Sequence, residues 1–283
     1  MKICRFNNNR LGVVADGQVL DVTDALGALP AATYPLPAHD LLIAYLDQVK
    51  QRAAELIPGA KAHGIEDVEF LSPVANPGKV VAAPVNYVKH LNEARADAQI
   101  HFQNQIEEIQ RVGLFLKASS SVVGPDAGVT IRHPERRNDH EIELVAVIGK
   151  AASKVSAADA LDHVAGYAIG LDMTVRGPQE RSMRKSIDSY TVVGPWLVTA
   201  DELADPGDLD FQLTVNGEVR QRANTRDLIL SLPQIIELAS QYYTLQPGDL
   251  IYTGTPEGVG PVVPGDVMVA EFSGIGKMRV EVH

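Results

Sequence analysis

Short apolar runs separated by glycine, proline and polar residues dominate the chain, and this pattern predicts strands more often than helices. The predicted strands cover residues 1–6, 10–15, 17–22, 80–84, 114–117, 129–131, 140–149, 165–171, 190–199, 211–220, 249–253 and 267–271. Asn216-Gly217, between alternating apolar residues, indicates a tight hairpin. The dense glycines and prolines favour a curled antiparallel or mixed sheet over a doubly wound one. We therefore expect a mixed α/β fold that is mainly β.

Helical spacing of apolar residues is confined to a few segments. Residues 40–56 carry apolar side chains at helical intervals, and Asp40 is placed to cap the first turn. Residues 86–108 and 157–163 are also predicted to be helical, and residues 228–243 show the clearest amphipathic pattern. No Gly-x-Gly-x-x-Gly or Walker sequence is present that would cradle phosphates.

A proline-bearing segment at residues 71–78 suggests a division of the chain into two units. Residues 1–72 are predicted to form a small N-terminal domain, built from a strand meander and a helix. Residues 73–283 are predicted to form the larger domain. A chain of 283 residues is long enough for one large domain or two, with a substantial core.

Composition narrows the expected partners. The formal net charge is −11 and no tract is rich in lysine or arginine, so we expect neither nucleic acid nor a membrane as a partner. The sequence has no signal peptide pattern and no apolar run of membrane-spanning length, so the expected location is the cytoplasm. Because Cys4 is the only cysteine, an intrachain disulfide and a cysteine-based zinc site are excluded, and Cys4 is predicted to be buried filler.

Two glutamates interrupt the apolar pattern of residues 140–149. Glu141 and Glu143 are two positions apart, so in a strand both side chains point to the same face. Asp172 directly follows the apolar run at residues 165–171. Carboxylates on an apolar face are costly unless they are neutralised, and Mg²⁺ and Mn²⁺ favour carboxylate oxygens. The pattern predicts a divalent-metal site, and an edge strand with two solvated glutamates is the alternative.

A histidine and a glutamate form a second candidate pair. His90 and Glu93 are three positions apart, which places them on one face of a helix. A carboxylate beside an imidazole fixes its tautomer and raises its basicity, as a general base requires. The alternative is an ordinary exposed helical turn, which is the commoner use of such a pair.

Five further motifs follow in order along the chain. They are Phe115-Leu-Lys117-Ala-Ser-Ser-Ser-Val-Val-Gly124, Asp172-Met-Thr-Val-Arg176-Gly-Pro-Gln179, Lys185-Ser-Ile-Asp188, Gly194-Pro-Trp-Leu-Val-Thr199 and Gly248-Asp-Leu-Ile-Tyr-Thr-Gly-Thr-Pro-Glu-Gly-Val-Gly260. Together with Glu-x-Glu, this ordered set resembles the fumarylacetoacetate hydrolase family over roughly residues 73–283. The resemblance implies a mixed β-roll catalytic domain, often paired as a homodimer, behind a small variable N-terminal domain.

The resemblance also implies roles for individual residues. Glu141, Glu143 and Asp172 would bind Mg²⁺, Mn²⁺ or Ca²⁺. His90 with Glu93 would be the catalytic dyad, Lys185 and Gln179 would lie beside the metal, Arg176 would support the site, Thr255 would contact substrate and Lys117 would lie near it. A structural ion pair is the alternative for Arg176, a surface position for Lys185, and an ordinary strand-end role for Thr255.

The sequence departs from the family pattern beside the site. Leu171 stands where many members have asparagine before the metal-binding aspartate, and Gly177-Pro178 follows Arg176 where many have aspartate. Residues 180–184 are also unusually basic. These departures concern substrate identity more than metal binding. We expect residues 91–113 and the segment around Arg181 and Arg184 to contact the acyl end of the substrate.

Three functions remain open at this stage. Family members act on 2-oxo acids, and the resemblance implies a metal-dependent hydrolase that cleaves a C–C bond of a 2,4-dioxo acid, giving a 2-oxo acid and a carboxylic acid. A decarboxylase or isomerase of 2-oxo dicarboxylic acids, of the oxaloacetate or 2-hydroxyhepta-2,4-diene-1,7-dioate type, would use the same residues without the attacking water. A non-catalytic acid-binding protein is the third possibility, and it would not need the dyad, Lys185 and three carboxylates together.

Overall fold

The computed structural model describes residues 1–102 and 105–283. Its strands are β1 (Lys2–Phe6), β2 (Arg10–Ala15), β3 (Gln18–Asp21), β4 (Lys61–Gly64), β5 (Phe70–Leu71), β6 (Val80–Ala82), β7 (Phe115–Lys117), β8 (Val122–Val123), β9 (Asn138–His140), β10 (Ile142–Ile148), β11 (Val164–Asp172), β12 (Thr174–Val175), β13 (Thr191–Thr199), β14 (Asp210–Val215), β15 (Glu218–Asn224), β16 (Leu250–Tyr252), β17 (Gly260–Pro261), β18 (Val267–Phe272) and β19 (Gly276–Glu281). Its α-helices are α1 (Leu41–Ala44), α2 (Leu46–Leu56), α3 (Val88–Ala96), α4 (Ala98–His101), α5 (Ile109–Val112), α6 (Arg181–Lys185) and α7 (Leu232–Tyr242).

One large mixed sheet organises the molecule, in the order β4-β3-β2-β1-β13-β11-β10-β16-β6-β7, with β5 also paired to β1 and β8 to β13. A four-stranded sheet, β15-β14-β18-β19, and a three-stranded sheet, β12-β9-β17, complete the architecture. The prediction of a strand-dominated mixed α/β fold is confirmed, and so is the hairpin at Asn216-Gly217, which joins β14 to β15.

Strand β10 is apolar on both faces because it separates two cores. Leu144 and Ile148 belong to one buried cluster, whereas Val145 and Val147 belong to the other. Alternate side chains of a strand point to opposite faces, so a strand covered on both sides is a continuous apolar run. The central position of β10, between β11 and β16, keeps every side chain along it away from solvent.

The N-terminal strands continue the same large sheet. β1 pairs with β13 in the register Lys2↔Val198, and β5 returns to pair with β1. Phe70 packs edge-on against Trp196 with ring centroids 5.8 Å apart, inside a cluster that also contains Cys4. Burial raises the pKa of Cys4 to about 12, as expected of a buried thiol. Hydrogen bonding and core packing therefore cross the division between residues 1–72 and 73–283, which stays a prediction.

The helices are shorter than the sequence pattern predicts. The segment 40–56 divides into α1 and α2 at Tyr45, and Asp40 caps α1 by accepting from the Ile43 amide at 3.1 Å, as predicted. The predicted helix 86–108 is wrong as one continuous element, although its residues 103–104 lie outside the described residues. Asp97 ends α3 in an extended conformation and caps α4, because its carboxylate accepts from the Gln99 amide at 2.8 Å.

Two other predicted elements differ from those in the structure. Residues 129–131 form no named strand, and Val129 makes an isolated bridge to Val282. The segment 157–163 contributes a 3₁₀ turn over Ala160–His163 in place of an α-helix. Among the described residues, no helix combines the length and the apolar character that crossing a bilayer requires.

A close contact in the large sheet gives a test of this packing. Gly170 of β11 pairs with Glu143 of β10, and a Cβ atom at Gly170 would lie 2.4 Å from Val145 Cγ2 and 2.6 Å from the Tyr252 ring. We expect Gly170→Ala to lower the free energy of unfolding by roughly 1–3 kcal/mol, the usual cost of overpacking a core. Denaturant unfolding measures the loss. Gly27→Ala is the matched control, since a Cβ there meets nothing within 4 Å, and a similar loss in both variants would contradict the explanation.

Candidate metal centre and active site

Three carboxylates converge where β10 and β11 meet. Glu141 immediately precedes β10, Glu143 lies within it, and the Asp172 amide at the end of β11 donates to the Glu141 carbonyl at 2.9 Å. One oxygen from each of the three side chains lies within 4.8 Å of the others, and all three side chains are buried. Because β10 is a central strand, the alternative of two solvated glutamates on an edge strand does not hold.

Lys185 lies between two of the carboxylates at the end of α6. Its ammonium donates to Glu141 Oε2 at 2.7 Å, to Asp172 Oδ2 at 2.7 Å and to Thr174 Oγ1 at 2.6 Å. All three ammonium hydrogens therefore have acceptors, and Lys185 is not a surface lysine. The short α6 determines this position, because it brings Lys185 back beside the strand ends that carry the carboxylates.

Lys117 approaches the carboxylates from the end of β7. Its ammonium pairs with Asp172 Oδ1 and also donates to the Tyr190 carbonyl at 2.8 Å. Burial lowers the pKa of Lys117, and the charge of Asp172 opposes that effect. The Lys117 side chain is fully enclosed, so in this structure it supports Asp172 rather than opening onto the cavity described below.

Arg176 contacts two carboxylates. Its Nη2 donates to Glu141 Oε1 and its Nε to Asp139 Oδ2, both at 2.8 Å. Asp139 also accepts from Arg137 Nε at 2.7 Å. These contacts match the structural ion-pair alternative for Arg176. Asp139 was not predicted from the sequence, although its position two residues before Glu141 on an alternating stretch indicates the same face.

Glu143 differs from the other two carboxylates because no cation pairs with it among the described residues. Its Oε2 accepts the Gly254 amide at 2.7 Å. Burial, with the charge of Asp172 added, raises the pKa of Glu143 well above its ordinary value. Burial acts on Glu141 in the same direction, but Lys185 and Arg176 outweigh it and hold the pKa of Glu141 below its ordinary value.

The donor set fits a divalent cation. Glu141, Glu143 and Asp172 offer clustered oxygens of the kind that Mg²⁺ and Mn²⁺ prefer, and Glu143 is a buried carboxylate in need of positive charge. Burying such a group without a counter-ion is costly. The structure thus brings together the three residues that the sequence proposed as ligands.

His90 and Glu93 form a pair on α3, as their spacing predicted. His90 Nδ1 lies 2.8 Å from Glu93 Oε2, and Glu93 Oε1 accepts the Gly258 amide at 2.9 Å. His90 is buried, so the exposed-turn alternative does not describe it. The bond to Gly258 ties α3 to the loop after β16, which also carries Gly254 and Thr255. The same loop therefore fixes both the dyad and Glu143.

Thr255 is buried in that loop and is held by a residue that was not predicted from the sequence. Its Oγ1 accepts from Gln221 Nε2 at 2.8 Å, while Gln221 Oε1 lies 3.0 Å from His140 Nδ1. Since the Thr255 oxygen is already an acceptor, its hydroxyl hydrogen is available to a ligand. No local signal in the sequence identifies Gln221, because it lies on β15 of a different sheet.

Gln179 is not brought to the carboxylates. It is exposed, and its Oε1 accepts from Arg136 Nη2 at 2.9 Å. Its contact with substrate therefore stays a prediction.

The other proposed residues share one cavity, apart from Glu93 and Lys117, which lie behind the residues they contact. Lining this cavity are His90, Glu141, Glu143, Asp172, Arg176, Lys185 and Thr255, with Arg181, Arg184 and an apolar wall of Ala83, Pro84, Val85, Ala94, Ile100, Ile106 and Phe115.

The chain is similar to a known protein family and to proteins of known activity. Residues 79–283 match the family model described as fumarylacetoacetate (FAA) hydrolase C-terminal. The chain is 57% identical to maleylpyruvate hydrolase of Aquipseudomonas alcaligenes over 285 aligned positions, which cover 100% of this chain and 99% of that protein.

Two further relatives extend the comparison. The crystal structure of maleylpyruvate hydrolase from Sphingobium sp. SYK-6 in complex with manganese(II) ion and pyruvate superposes with a TM-score of 0.84 at 41% identity, covering 100% of this chain and 98% of that one. A 4-hydroxyphenylacetate degradation bifunctional isomerase/decarboxylase of Salmonella dublin is 38% identical over 74% of this chain and 48% of that protein. From the match over the catalytic region and the identity over the whole chain, we conclude that this protein belongs to the fumarylacetoacetate hydrolase family.

Proposed function

We propose that the protein hydrolyses a C–C bond of a 2,4-dioxo acid of the acylpyruvate type, releasing a 2-oxo acid and a carboxylic acid. The prediction of this enzyme class is confirmed by the 57% identity to a maleylpyruvate hydrolase over the whole chain. The observation that carries the proposal is the presence, in one cavity, of three clustered carboxylates and the His90 imidazole. The three carboxylates are suited to binding a metal, and the imidazole is suited to activating water.

The carboxylates supply the metal-binding half of the site. Glu141, Glu143 and Asp172 would hold Mg²⁺ or Mn²⁺, with Ca²⁺ as the remaining candidate. When bound, such a cation supplies Lewis-acid polarisation of the substrate oxygens at the 2-oxo acid end. The manganese and pyruvate in the relative from Sphingobium support both the cation and the product class.

The dyad supplies the base. With its Nδ1 hydrogen donated to Glu93, the His90 ring leaves its Nε2 lone pair free to take a proton from water. The resulting hydroxide attacks the carbonyl at C4, and the C3–C4 bond breaks with its electron pair on C3, so that the acyl part leaves as a carboxylic acid. C3 then takes the proton that His90 removed from water, which completes the 2-oxo acid. The bond between Glu93 and the Gly258 amide keeps the carboxylate, and through it the ring, in a fixed orientation.

The remaining residues position charge around the reacting atoms. Lys185 places its ammonium next to Glu141 and Asp172, from where it stabilises negative charge that develops on the substrate. The Thr255 hydroxyl donates to a substrate oxygen. Arg176, inside the cavity, holds Glu141 in place, and Lys117 holds Asp172 from behind. The homodimer that the family implies stays a prediction.

A decarboxylase or isomerase of 2-oxo dicarboxylic acids is the second candidate function. It is favoured by the 38% identity to the bifunctional isomerase/decarboxylase of Salmonella dublin. The same carboxylates and Lys185 would serve that chemistry, because it also develops negative charge next to a 2-oxo acid. His90 would then have no water to activate.

Product analysis distinguishes the two functions. The Mn²⁺-loaded protein is incubated with an acylpyruvate in one sample and with oxaloacetate in another. The products of each are identified by NMR. We expect the acylpyruvate to give pyruvate and its acyl carboxylic acid at the faster rate. Release of carbon dioxide from oxaloacetate with the acylpyruvate left intact would replace the hydrolase proposal with the decarboxylase one.

A further inference from the structure

Arg181 lines the cavity without a carboxylate partner. Among the described residues, its guanidinium donates no hydrogen bond and forms no ion pair. The adjacent Glu180 caps α6 instead, by accepting from the Ser182 amide at 2.6 Å. The guanidinium carbon of Arg181 lies 5.5 Å from the centre of the Phe115 ring. Stacking on an aromatic ring orients the guanidinium plane while leaving its N–H groups available for a ligand.

Arg184, one turn further along α6, also has no counter-ion within the part of the chain that the structure describes. Its Nε donates to the Gln179 carbonyl at 2.8 Å and its Nη1 to the Val175 carbonyl at 3.4 Å, and neither contact neutralises its charge. Burial lowers the pKa of Arg184 to about 10, and the positive charges of Arg176 and Arg181 act in the same direction. This end of the cavity therefore carries excess positive charge.

The other two cations that line the cavity have carboxylate partners. Arg176 and Lys185 are each paired with carboxylates at 2.7–2.8 Å, so the charge at the metal-binding end is largely matched within the protein. Two partly buried guanidinium groups without such partners are unfavourable unless an anion joins them. The guanidinium fork matches a carboxylate in a bidentate arrangement. The two ends of the cavity are thus built for different parts of one ligand.

We propose that Arg181 and Arg184 form a subsite for a second carboxylate, at the end of the substrate remote from its 2-oxo acid group. This inference rests on the proposed function, which places the 2-oxo acid end at Glu141, Glu143 and Asp172. It assigns the selection of dicarboxylic 2,4-dioxo acids to α6. An acylpyruvate with an uncharged acyl group would leave both guanidinium groups unmatched.

A pair of ligands that cannot be hydrolysed tests the subsite by binding alone. 2-Oxoheptanedioate and 2-oxoheptanoate share the 2-oxo acid end, lack a carbonyl at C4 and differ in the terminal carboxylate. Their affinities for the Mn²⁺-loaded full chain are measured by calorimetry. We expect the dioate to bind about ten- to a hundredfold more tightly, the range expected of hydrogen bonds to a charged group.

Arginine variants locate the source of that preference. Arg181→Gln removes the charge from a side chain that makes no hydrogen bond to the described residues, so α6 should stay intact. We expect it to lose most of the preference, Arg181→Lys to keep part of it, and Arg181→Gln with Arg184→Gln to abolish it. Arg132→Gln is the matched control and should keep it in full, because Arg132 is a surface arginine paired with Asp188 at 3.3 Å.

The outcomes separate the subsite from the hydrolase proposal. Equal affinities in the unaltered protein, or a preference that survives the double substitution, would overturn the subsite. A preference that disappears with the arginines establishes the subsite even if no acylpyruvate is hydrolysed. In that last case the proposed reaction fails while the assignment of Arg181 and Arg184 stands.

Discussion

Chelation of divalent metal should lower acylpyruvate turnover by roughly a thousandfold or more, and Mn²⁺ or Mg²⁺ should restore it. A Lewis acid supplies several kcal/mol of transition-state stabilisation, and each 1.4 kcal/mol is a factor of about ten in rate. Glu143→Gln should reproduce the loss with metal present. It removes the negative charge while keeping an oxygen that can accept the Gly254 amide, so the loop keeps its hydrogen bond.

The control for this variant is a glutamate in a similar local setting. Glu237 Oε1 accepts the Ala157 amide at 3.1 Å and lies outside the cavity, so Glu237→Gln should leave both turnover and metal affinity intact. Metal affinity is measured by calorimetry, and the metal content of the chelated sample by elemental analysis. Undiminished turnover in a sample verified to be free of metal would remove the basis for assigning the carboxylates to a cation. Comparing Mg²⁺, Mn²⁺ and Ca²⁺ in the restoration step identifies the metal that supports catalysis.

His90→Ala should lower kcat for hydrolysis of an acylpyruvate by roughly a hundredfold or more, the usual scale of general base catalysis. Decarboxylation of oxaloacetate should fall less, because it needs no attacking water. Metal affinity should hardly change, since His90 is hydrogen-bonded to Glu93 and does not belong to the group of side chains proposed to hold the metal. Steady-state kinetics with the two substrates and calorimetry with Mn²⁺ measure the three quantities.

The chain offers a close control for the dyad. His133 Nδ1 lies 3.2 Å from Glu135 Oε1, so the imidazole contacts a carboxylate through the same ring atom as in His90. Both side chains are exposed and lie outside the cavity. His133→Ala should therefore leave hydrolysis unchanged. If His90→Ala hydrolyses the acylpyruvate as fast as the unaltered protein, the dyad does not activate water. An equal loss of hydrolysis and decarboxylation would instead indicate that His90 acts on a step that the two reactions share.

The elements with strong local patterns were predictable. The apolar run at residues 165–171 became β11, the hairpin at Asn216-Gly217 formed as expected, and Asp40 caps α1. Each is marked by a pattern among residues close in sequence. The predicted helix at residues 86–108 was wrong as one element because its periodicity does not reveal that Asp97 stops one helix and caps the next.

The carboxylates were predictable for a similar reason. The strand period puts Glu141 and Glu143 on one face, and the order of the motifs indicates that Asp172 belongs with them. Their electrostatic states were not predictable. Lys185 and Arg176 reach Glu141 only because α6 and the strand after β11 fold back toward it, whereas Glu143 receives no such cation among the described residues.

By itself, the sequence determined the strand-rich character of this protein, the hairpin and the Asp40 cap, and it indicated the residues proposed for metal binding and base catalysis. Only the tertiary structure decided that β1 joins β13, that Gln221 holds Thr255 and that Gln179 lies outside the cavity. It also decided that Arg181 and Arg184 line the cavity with no carboxylate partner among residues 1–102 and 105–283. The physical reason is that strand period and capping act over a few residues. Burial and ion pairing, in contrast, depend on which distant segments the sheet brings together.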